Sequence, residues 1–588
     1  MAKRPQYGVS VKLDLQCPMP DGVRLSTDVY LPEGAGPWPT IFIRTPYSNN
    51  DPVKKIPLAR ALASNGYAVA IQDVRGRYDS EGQWEPFFNE QADGRAAQPW
   101  LAGQDFCNGN IALMGRSYEG FCVWMGAFGH DPAVKAIIPI VALPDPVINV
   151  PWQNGSVFWS MITWALFVHG RTNQDADQYN WEKLYNFRPL DKLDEQLGFE
   201  SKMWQDWMAH PLKDEYWQRA CYMHRMGELD IPALHITGWY DDDGPSTYNN
   251  FPNARRLAAS GDEQYLLIGP WPHATNTKTV VQGVDFGPEE VIDINSFILD
   301  WLDKQIGGRP ESWGDRKRAR VFLMGENKWH DFDDWPPPGT TEQAWHLTSG
   351  GKANSLFGDG RLVWHRLPAG ESGAPPSQDR GLSPSAKPGA MPSPAAGGGG
   401  HAAPLDEYTY DPDHPTPYLY DAGTLQVGGP FDARPVQRRD DVLCYTSAPL
   451  GEDMVLCGRV FAELWVSSSA EDTEFCAMLC DVYPNGEARQ LCDGNLRLCV
   501  RNSLEKRDPV PPGEVAKMRI DMWATGVRVL AGHCLRLQIS SAAVPAFAPH
   551  TNTLDPPGSA TRVVIAQNRV YHDDDHPSRL LLPVVSEG

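Results

Sequence analysis

The sequence predicts an α/β fold: a mostly parallel sheet covered by helices, an inserted helical segment above it, and a β-rich C-terminal part. Three observations carry this. Strand-like and helix-like runs alternate from about residue 40 to 144 and again from 233 to 305. The stretch between them has little strand character and is crowded with aromatics. Beyond about residue 318 short alternating strands dominate, as in a sandwich or jelly roll.

The chain opens with Val9–Gln16 and Arg24–Leu31, two alternating runs separated by the Asp21-Gly22 turn signal, which predicts an antiparallel pair. Thr40–Arg44 reads as a strand. Lys54–Ser64 reads as a helix, with Gly66 just past its end. Ala68–Asp73 is apolar enough for a strand buried on both faces, and Asn89–Leu101 fits a helix. Ile111–Met114, Glu119–Gly129 and Ala136–Val141 continue the strand, helix, strand order. The alternation resumes with Ala233–Thr237, Gln264–Ile268 and a long amphipathic helix over Glu289–Gln305.

Residues 146–232 hold seven of the chain's 21 tryptophans: Trp152, Trp159, Trp164, Trp181, Trp204, Trp207 and Trp217. A helical cap fits that composition. Most of these rings are expected to serve helix packing. An insertion at this point lies over the C-terminal edge of the sheet, so Trp152, Trp159, Trp164 and Phe167 are candidate substrate walls. The domains expected are a first sheet part at 1–145, the cap at 146–232, a second sheet part at 233–317 and a jelly-roll β-sandwich at 318–588. Arg320–Leu323, Ala344–Leu347, Val460–Val466, Phe475–Val482, Val515–Met522 and Cys534–Ile539 are its strands, and Tyr483-Pro-Asn-Gly486 is a turn. Residues 368–404, dominated by Gly, Pro and Ala, read as a solvated loop.

Composition narrows the function. With 52 Lys plus Arg against 74 Asp plus Glu, the net charge is −22, which argues against a nucleic-acid surface or docking on anionic lipid. Hydrophobic content of 41% excludes global disorder. The first twenty residues contain no apolar signal segment, and no run of about 18 apolar residues occurs, so a soluble, cytoplasmic protein is expected. The eleven cysteines lack zinc spacing and read as buried free thiols. His572-Asp-Asp-Asp-His576 looks like a ligand cluster, but its place between Thr561–Tyr571 and Leu580–Val585 predicts a polar hairpin turn. No metal or cofactor is expected, and oligomeric state is not readable.

Gly115-Arg-Ser117-Tyr-Glu-Gly120 carries the chemistry. A buried strand precedes it and a helix follows, the context of a nucleophile elbow in an α/β-hydrolase domain, although Gly120 stands one place later than in G-x-S-x-G. The Tyr118 backbone N–H would face a developing oxyanion from a helix N-terminus. A serine that caps a helix at a tight turn would look the same. What separates the two is the supply of an acid and a base downstream, in the order Ser, acid, His. Leu234–Asp241 runs from a strand into a loop rich in carboxylates, and Tyr265–His273 runs from the next strand into a loop with one histidine.

The chain resembles the cocaine-esterase-like (CocE/NonD) hydrolases, relatives of X-Pro dipeptidyl-peptidases and α-amino-acid ester hydrolases. The likeness rests on Arg44-Thr-Pro-Tyr47, Asp73-Val-Arg-Gly-Arg-Tyr-Asp-Ser80, the Gly115–Gly120 elbow, Gly238-Trp-Tyr-Asp241 and Gly269-Pro-Trp-Pro-His273. In the C-terminal half it rests on Gly429-Pro-Phe-Asp432, Asp481–Gly486, Gly532–Leu537 and His576-Pro-Ser578. The resemblance implies Ser117 as nucleophile, His273 as general base and acid, Asp241 as the orienting carboxylate, and the Tyr47 phenol beside the Tyr118 N–H in the oxyanion hole. Arg75 and Asp79 are expected to knit the loop around the site. α-Amino-acid ester hydrolases use carboxylates two and three places after the acid to clasp an ammonium; here these are Asp243 and Gly244. X-Pro dipeptidyl-peptidases carry an additional N-terminal domain, whereas this sequence opens on strands of the catalytic sheet. The resemblance therefore implies a serine hydrolase acting on a small-molecule ester or activated amide. Alternatives are an acylase or peptidase on an amide such as a β-lactam side chain, and a non-catalytic protein whose β domain binds carbohydrate or protein.

Overall fold

A computed structural model describes residues 6–273, 279–364, 404–421 and 426–586. The expected loop at 368–404 lies outside the described residues except for Pro404. The chain divides into two compact units: residues 1–338 with 421–428 and 556–560, and residues 339–420 with 429–555 and 561–588.

The first unit is built on a ten-stranded mixed sheet. Its strands are β1 (Val9–Pro18), β2 (Arg24–Pro32), β3 (Trp38–Thr45), β4 (Ala68–Asp73), β5 (Cys107–Arg116), β6 (Val134–Ile140), β7 (Ala233–Tyr240), β8 (Gln264–Pro272), β9 (Ala319–Leu323) and β10 (Lys328–Phe332). Their spatial order is β1-β2-β4-β3-β5-β6-β7-β8-β9-β10. From β4 to β9 every pairing is parallel; β1 to β2, β2 to β4 and β9 to β10 are antiparallel. The order reverses at β3, where the chain leaves toward β4 on one side and later returns to β5 on the other. Loops departing there in opposite directions leave a crevice at the carboxyl ends of the strands.

Alternation explains the layers. Ile41 and Ile43, Val69 and Ile71, Ala112 and Met114, and Leu234 and Ile236 point to one face. They form one buried cluster with Ala59 and Leu62 of α1 (Lys55–Ala63) and with Ile298, Leu299, Trp301 and Leu302 of a helix at Ile294–Gln305. α2 (Glu90–Ala102) packs against α3 (Tyr118–Ala127), and α3 is buried along its whole length. The inserted segment carries several short helices joined by turns and loops, among them α4 (Ser160–Phe167) and α5 (Lys202–Ala209). Arg320–Leu323, expected among the C-terminal strands, lies in β9, which pairs in parallel with β8 and extends this sheet. Its alternating pattern suits either sheet, and the sequence around it does not say which.

The second unit holds an eleven-stranded sheet whose pairings are antiparallel apart from a single parallel pair, Arg361 with Thr446. The Tyr483–Gly486 turn joins Glu474–Val482 to Ala488–Arg497, as the sequence predicts. Residues 572–578 are not a hairpin turn. Ala566–Tyr571 and Arg579–Val585 lie end to end along the same long strand, Met454–Ser468, both antiparallel to it. Fifteen residues are long enough to pair with the two in tandem, so the linker loops out between them. Its His572 turns inward and is 1% exposed in its side chain, 2.9 Å by Nε2 from Asp406 Oδ2. Ser349 Oγ and Tyr445 Oη donate to that same oxygen at 2.7 and 2.8 Å.

All eleven cysteines are free, and ten are buried. Burial pushes the thiols of Cys444 and Cys480 up to about 12, which keeps them protonated and unreactive. Among the described residues no helix is long and apolar enough to cross a membrane.

Candidate active site

β5 ends at Arg116 and α3 starts at Tyr118, so Ser117 alone makes the turn. It does so at φ 59°, ψ −127°, a left-handed backbone that L-residues adopt only under constraint. Its N–H is anchored on the Ile140 carbonyl of the neighbouring strand at 3.0 Å. The turn is possible because its flanks carry no side chain. A Cβ on Gly115 would stand 2.3 Å from the Glu119 carbonyl oxygen, and one on Gly120 would stand 2.6 Å from the Ala142 Cβ. Ser117 is half-buried, whereas Tyr118 is fully buried, with its phenol donating to Glu90 at 3.0 Å and accepting from the Phe87 N–H at 2.7 Å. That grip fixes the first peptide of α3, whose N–H belongs to the positive end of the helix.

β7 and β8 run side by side in parallel, with Tyr240 opposite Pro272. The next residue of each is therefore a neighbour of the other. His273 Nδ1 lies 2.9 Å from Asp241 Oδ1, and the Asp241 side chain is fully buried. The Thr237 hydroxyl donates to its other oxygen at 2.6 Å, and the Asp243 N–H donates to Oδ1 at 3.1 Å. With Nδ1 committed to the carboxylate, Nε2 is the ring edge left for substrate chemistry. The His273 carbonyl accepts from Arg116 Nη2 at 2.6 Å, which ties the histidine to the residue directly before Ser117.

Asp242 Oδ1 and Asp243 Oδ2 each lie 3.6 Å from His273 Nδ1. Burial alone would lower the imidazole pKa. The bond to Asp241 and the negative charges of Asp243, Asp241 and Asp242 outweigh it and lift the value to about 9. Burial pushes Asp243 well above the usual carboxylate range against the pull of the His273 charge, and the neighbouring Asp242 and Asp241 add to the push. Asn149 Nδ2 donates to Asp243 Oδ1 at 3.1 Å and to the Asp242 carbonyl at 2.6 Å. The donor atoms of these three aspartates and His273 lie within 4.8 Å of one another, the one grouping with metal-ligand spacing among the described residues. Pairing with the imidazole accounts for it.

Tyr47 lies two residues beyond β3, on the strand next to β5. Its N–H donates to Thr45 Oγ1 at 3.0 Å, and its phenol oxygen accepts from the Trp164 indole at 3.0 Å. Burial raises the phenol pKa, so the group stays a donor. Of the four aromatic wall candidates, Trp164 and Phe167 are half-buried and beside Tyr47; the Phe167 and Tyr47 ring centroids are 6.0 Å apart. Trp152 and Trp159 are buried within the inserted segment. Trp152 donates to the Trp207 carbonyl at 2.9 Å, and Trp159 packs edge-on against Tyr185. Arg75 pairs with Asp93 and Asp21, knitting the loop after β4. Arg77, two residues on, carries no separate signal in a run with two arginines, yet it is the fully buried one.

Residues 21–275 match the X-Pro dipeptidyl-peptidase (S15 family) profile, and residues 311–581 match the X-Pro dipeptidyl-peptidase C-terminal non-catalytic domain. The chain is 31% identical to cocaine esterase from Rhodococcus sp. (strain MB1 Bresler), over 98% of this chain and 99% of that protein. Two solved structures share the fold, each with a TM-score of 0.83. An aminopeptidase from a marine sediment archaeon (Thaumarchaeota) is 22% identical, covering 100% of this chain and 98% of its own. An α-amino acid ester hydrolase is 21% identical, covering 99% and 98%.

Proposed function

The chain belongs to the X-Pro dipeptidyl-peptidase (S15) family of serine hydrolases, and from that premise we propose that it cleaves carboxylic esters through an acyl-enzyme formed on Ser117. The observation that carries this reading is the 2.9 Å bond between His273 and Asp241, on a histidine tied through Arg116 to a strained, half-buried serine. Ser117 Oγ attacks the ester carbonyl while its proton passes to His273 Nε2. Asp241 holds the tautomer that accepts it and stabilises the imidazolium. The Tyr118 N–H and the Tyr47 O–H take the charge on the tetrahedral oxygen. His273 then gives the proton to the leaving alcohol, and a water activated by the same imidazole releases the acid.

The relative named cocaine esterase acts on an ester, and the half-buried aromatic rings of Phe167 and Tyr47 side by side suit an ester with a flat or bulky apolar group. An amine-clasping role for Asp243 is disfavoured, because one of its oxygens is bonded to Asn149 and the other faces His273. Two measurements test the proposal. A serine-directed fluorophosphonate should label the wild type and fail to label Ser117→Ala; undiminished labelling of that variant rejects Ser117 as nucleophile. A screen of p-nitrophenyl and benzoyl esters against matched amides and β-lactams should show turnover of the esters, and turnover confined to the amides would reject the substrate class.

A further inference from the structure

One side chain of the inserted segment touches both residues proposed above to supply the oxyanion donors, one at the donor itself and the other at its ring. Trp164 donates its indole N–H to Tyr47 Oη at 3.0 Å, and its ring stacks on that of Tyr118, with centroids 5.6 Å apart and planes 27° apart. A phenol oxygen that accepts one hydrogen bond keeps its own proton for another direction. The indole bond thus selects which way the Tyr47 O–H points, and it also opposes the effect of burial by drawing the phenol pKa back down.

α4, which carries Trp164, is secured at its C-terminal end by Arg77. Arg77 Nη1 donates to the Val168 and Gly170 carbonyls at 2.7 and 2.6 Å, and Nη2 donates to Asn173 Oδ1 at 2.9 Å. Its Nε donates to the Pro46 carbonyl at 2.9 Å, immediately before Tyr47. One buried guanidinium therefore links the residue before Tyr47 to the stretch directly after the helix that carries Trp164. The loop that carries Arg77 is stitched to the stretch after α4 again by the Tyr78 N–H on the Arg171 carbonyl (2.8 Å) and the Asn173 N–H on Tyr78 Oη (3.1 Å). A bidentate, planar donor of this kind is not replaced by lysine.

Resting on the reading of Tyr47 as an oxyanion donor, we infer that Trp164 is a positioning residue of the oxyanion hole and that Arg77 holds the helix that carries it. A positioning residue and a substrate wall differ kinetically. Losing a wall raises KM, whereas losing alignment of a group used in the transition state lowers kcat.

The test is a double-mutant cycle on p-nitrophenyl ester turnover. Trp164→Phe keeps an aromatic ring, smaller than the indole, and removes the donor; we expect kcat to fall about tenfold with KM within about twofold, the scale of one neutral hydrogen bond. In a Tyr47→Phe background the same change should alter kcat by less than about twofold, because the bond it removes is already lost. A full loss in both backgrounds, or an effect confined to KM, overturns the inference. If Tyr47→Phe alone leaves kcat unchanged, the oxyanion role of Tyr47 falls and the inference with it. If Tyr47→Phe slows turnover while Trp164→Phe acts independently, only the inference falls. Should Trp164→Phe lose its cooperative thermal transition, Arg77→Lys in the same cycle decides by the same rule.

Discussion

In the α/β unit Asp241 takes the Nδ1 edge of His273, and Ser117 sits half-buried on a strained turn. In the β unit the same three residue types meet differently. Ser349 donates directly to Asp406 Oδ2 at 2.7 Å, His572 Nε2 lies 2.9 Å from that same oxygen, and Tyr445 donates to it as well. The carboxylate is the hub there and the imidazole is a spoke. Ser349 lies 3.1 Å from His572 Nε2, yet its proton is spent on the acid, and Ser349, His572 and Asp406 are all buried. Three residue types in contact are therefore not enough for nucleophilic catalysis. The acid must sit on the far side of the imidazole from the serine, and the serine must be reachable.

The largest expected effect separates the two serines. Ser117→Ala should lower ester turnover at least about ten-thousandfold, whereas Ser349→Ala should leave kcat within about twofold. A comparable loss in both variants would erase the distinction. The two acids come next. Asp241→Asn should cost about a thousandfold or more in kcat through the wrong histidine tautomer. Asp406→Asn should spare kcat and instead lower stability by about 1–3 kcal/mol, read by urea melts. The sign with pH follows. Burial opposes ionisation of Asp406, but its bonds to His572, the Ala353 N–H and Ser349 hold its pKa below the ordinary value. Its contribution is thus present at neutral pH and fades as pH falls below the ordinary carboxylate range. A melt insensitive to acid in this range would count against the hub.

Tyr47→Phe should lower kcat about a hundredfold, the scale for one oxyanion donor, with labelling still detectable. The smallest effect is on pH dependence. In the proposed mechanism the neutral imidazole acts as base, so kcat/KM should rise with pH around a midpoint at about 9 and level off only above it. Removing one nearby negative charge by Asp242→Asn should move that limb to lower pH by roughly half a unit. A limb already flat above pH 7 in the wild type would show that the carboxylates do not lift His273.

Much of this is legible in the sequence for a local reason. Strand, helix and strand follow one another closely from β3 to β6, and each boundary carries its own signal. The loops after β7 and β8 announce Asp241 and His273 because the strands before them are apolar runs. What local pattern does not hold is which sheet a strand joins. Ala319–Leu323 alternates equally well for either sheet, and the 572–578 linker looks like a turn until one long partner strand is seen to span it. The Ser349, Asp406 and His572 network brings together residues 223 positions apart at its extremes. Arg77 is masked by Arg75 in the same motif, and only burial separates the two roles. The aromatic-rich segment shows where rings are plentiful, but not that Trp152 is packed inside while Trp164 reaches Tyr47.

The side-chain-free flanks of the elbow bear on how this enzyme could be diversified. Even a methyl group at Gly115 or Gly120 would overlap backbone or a neighbouring methyl. A directed-evolution library that randomises positions 115 to 120 would therefore lose most of its clones to misfolding before any selection for new substrates began. Phe167, half-buried beside Tyr47, carries no such steric limit, so substrate scope in descendants of this chain should drift through the inserted segment while the elbow stays fixed.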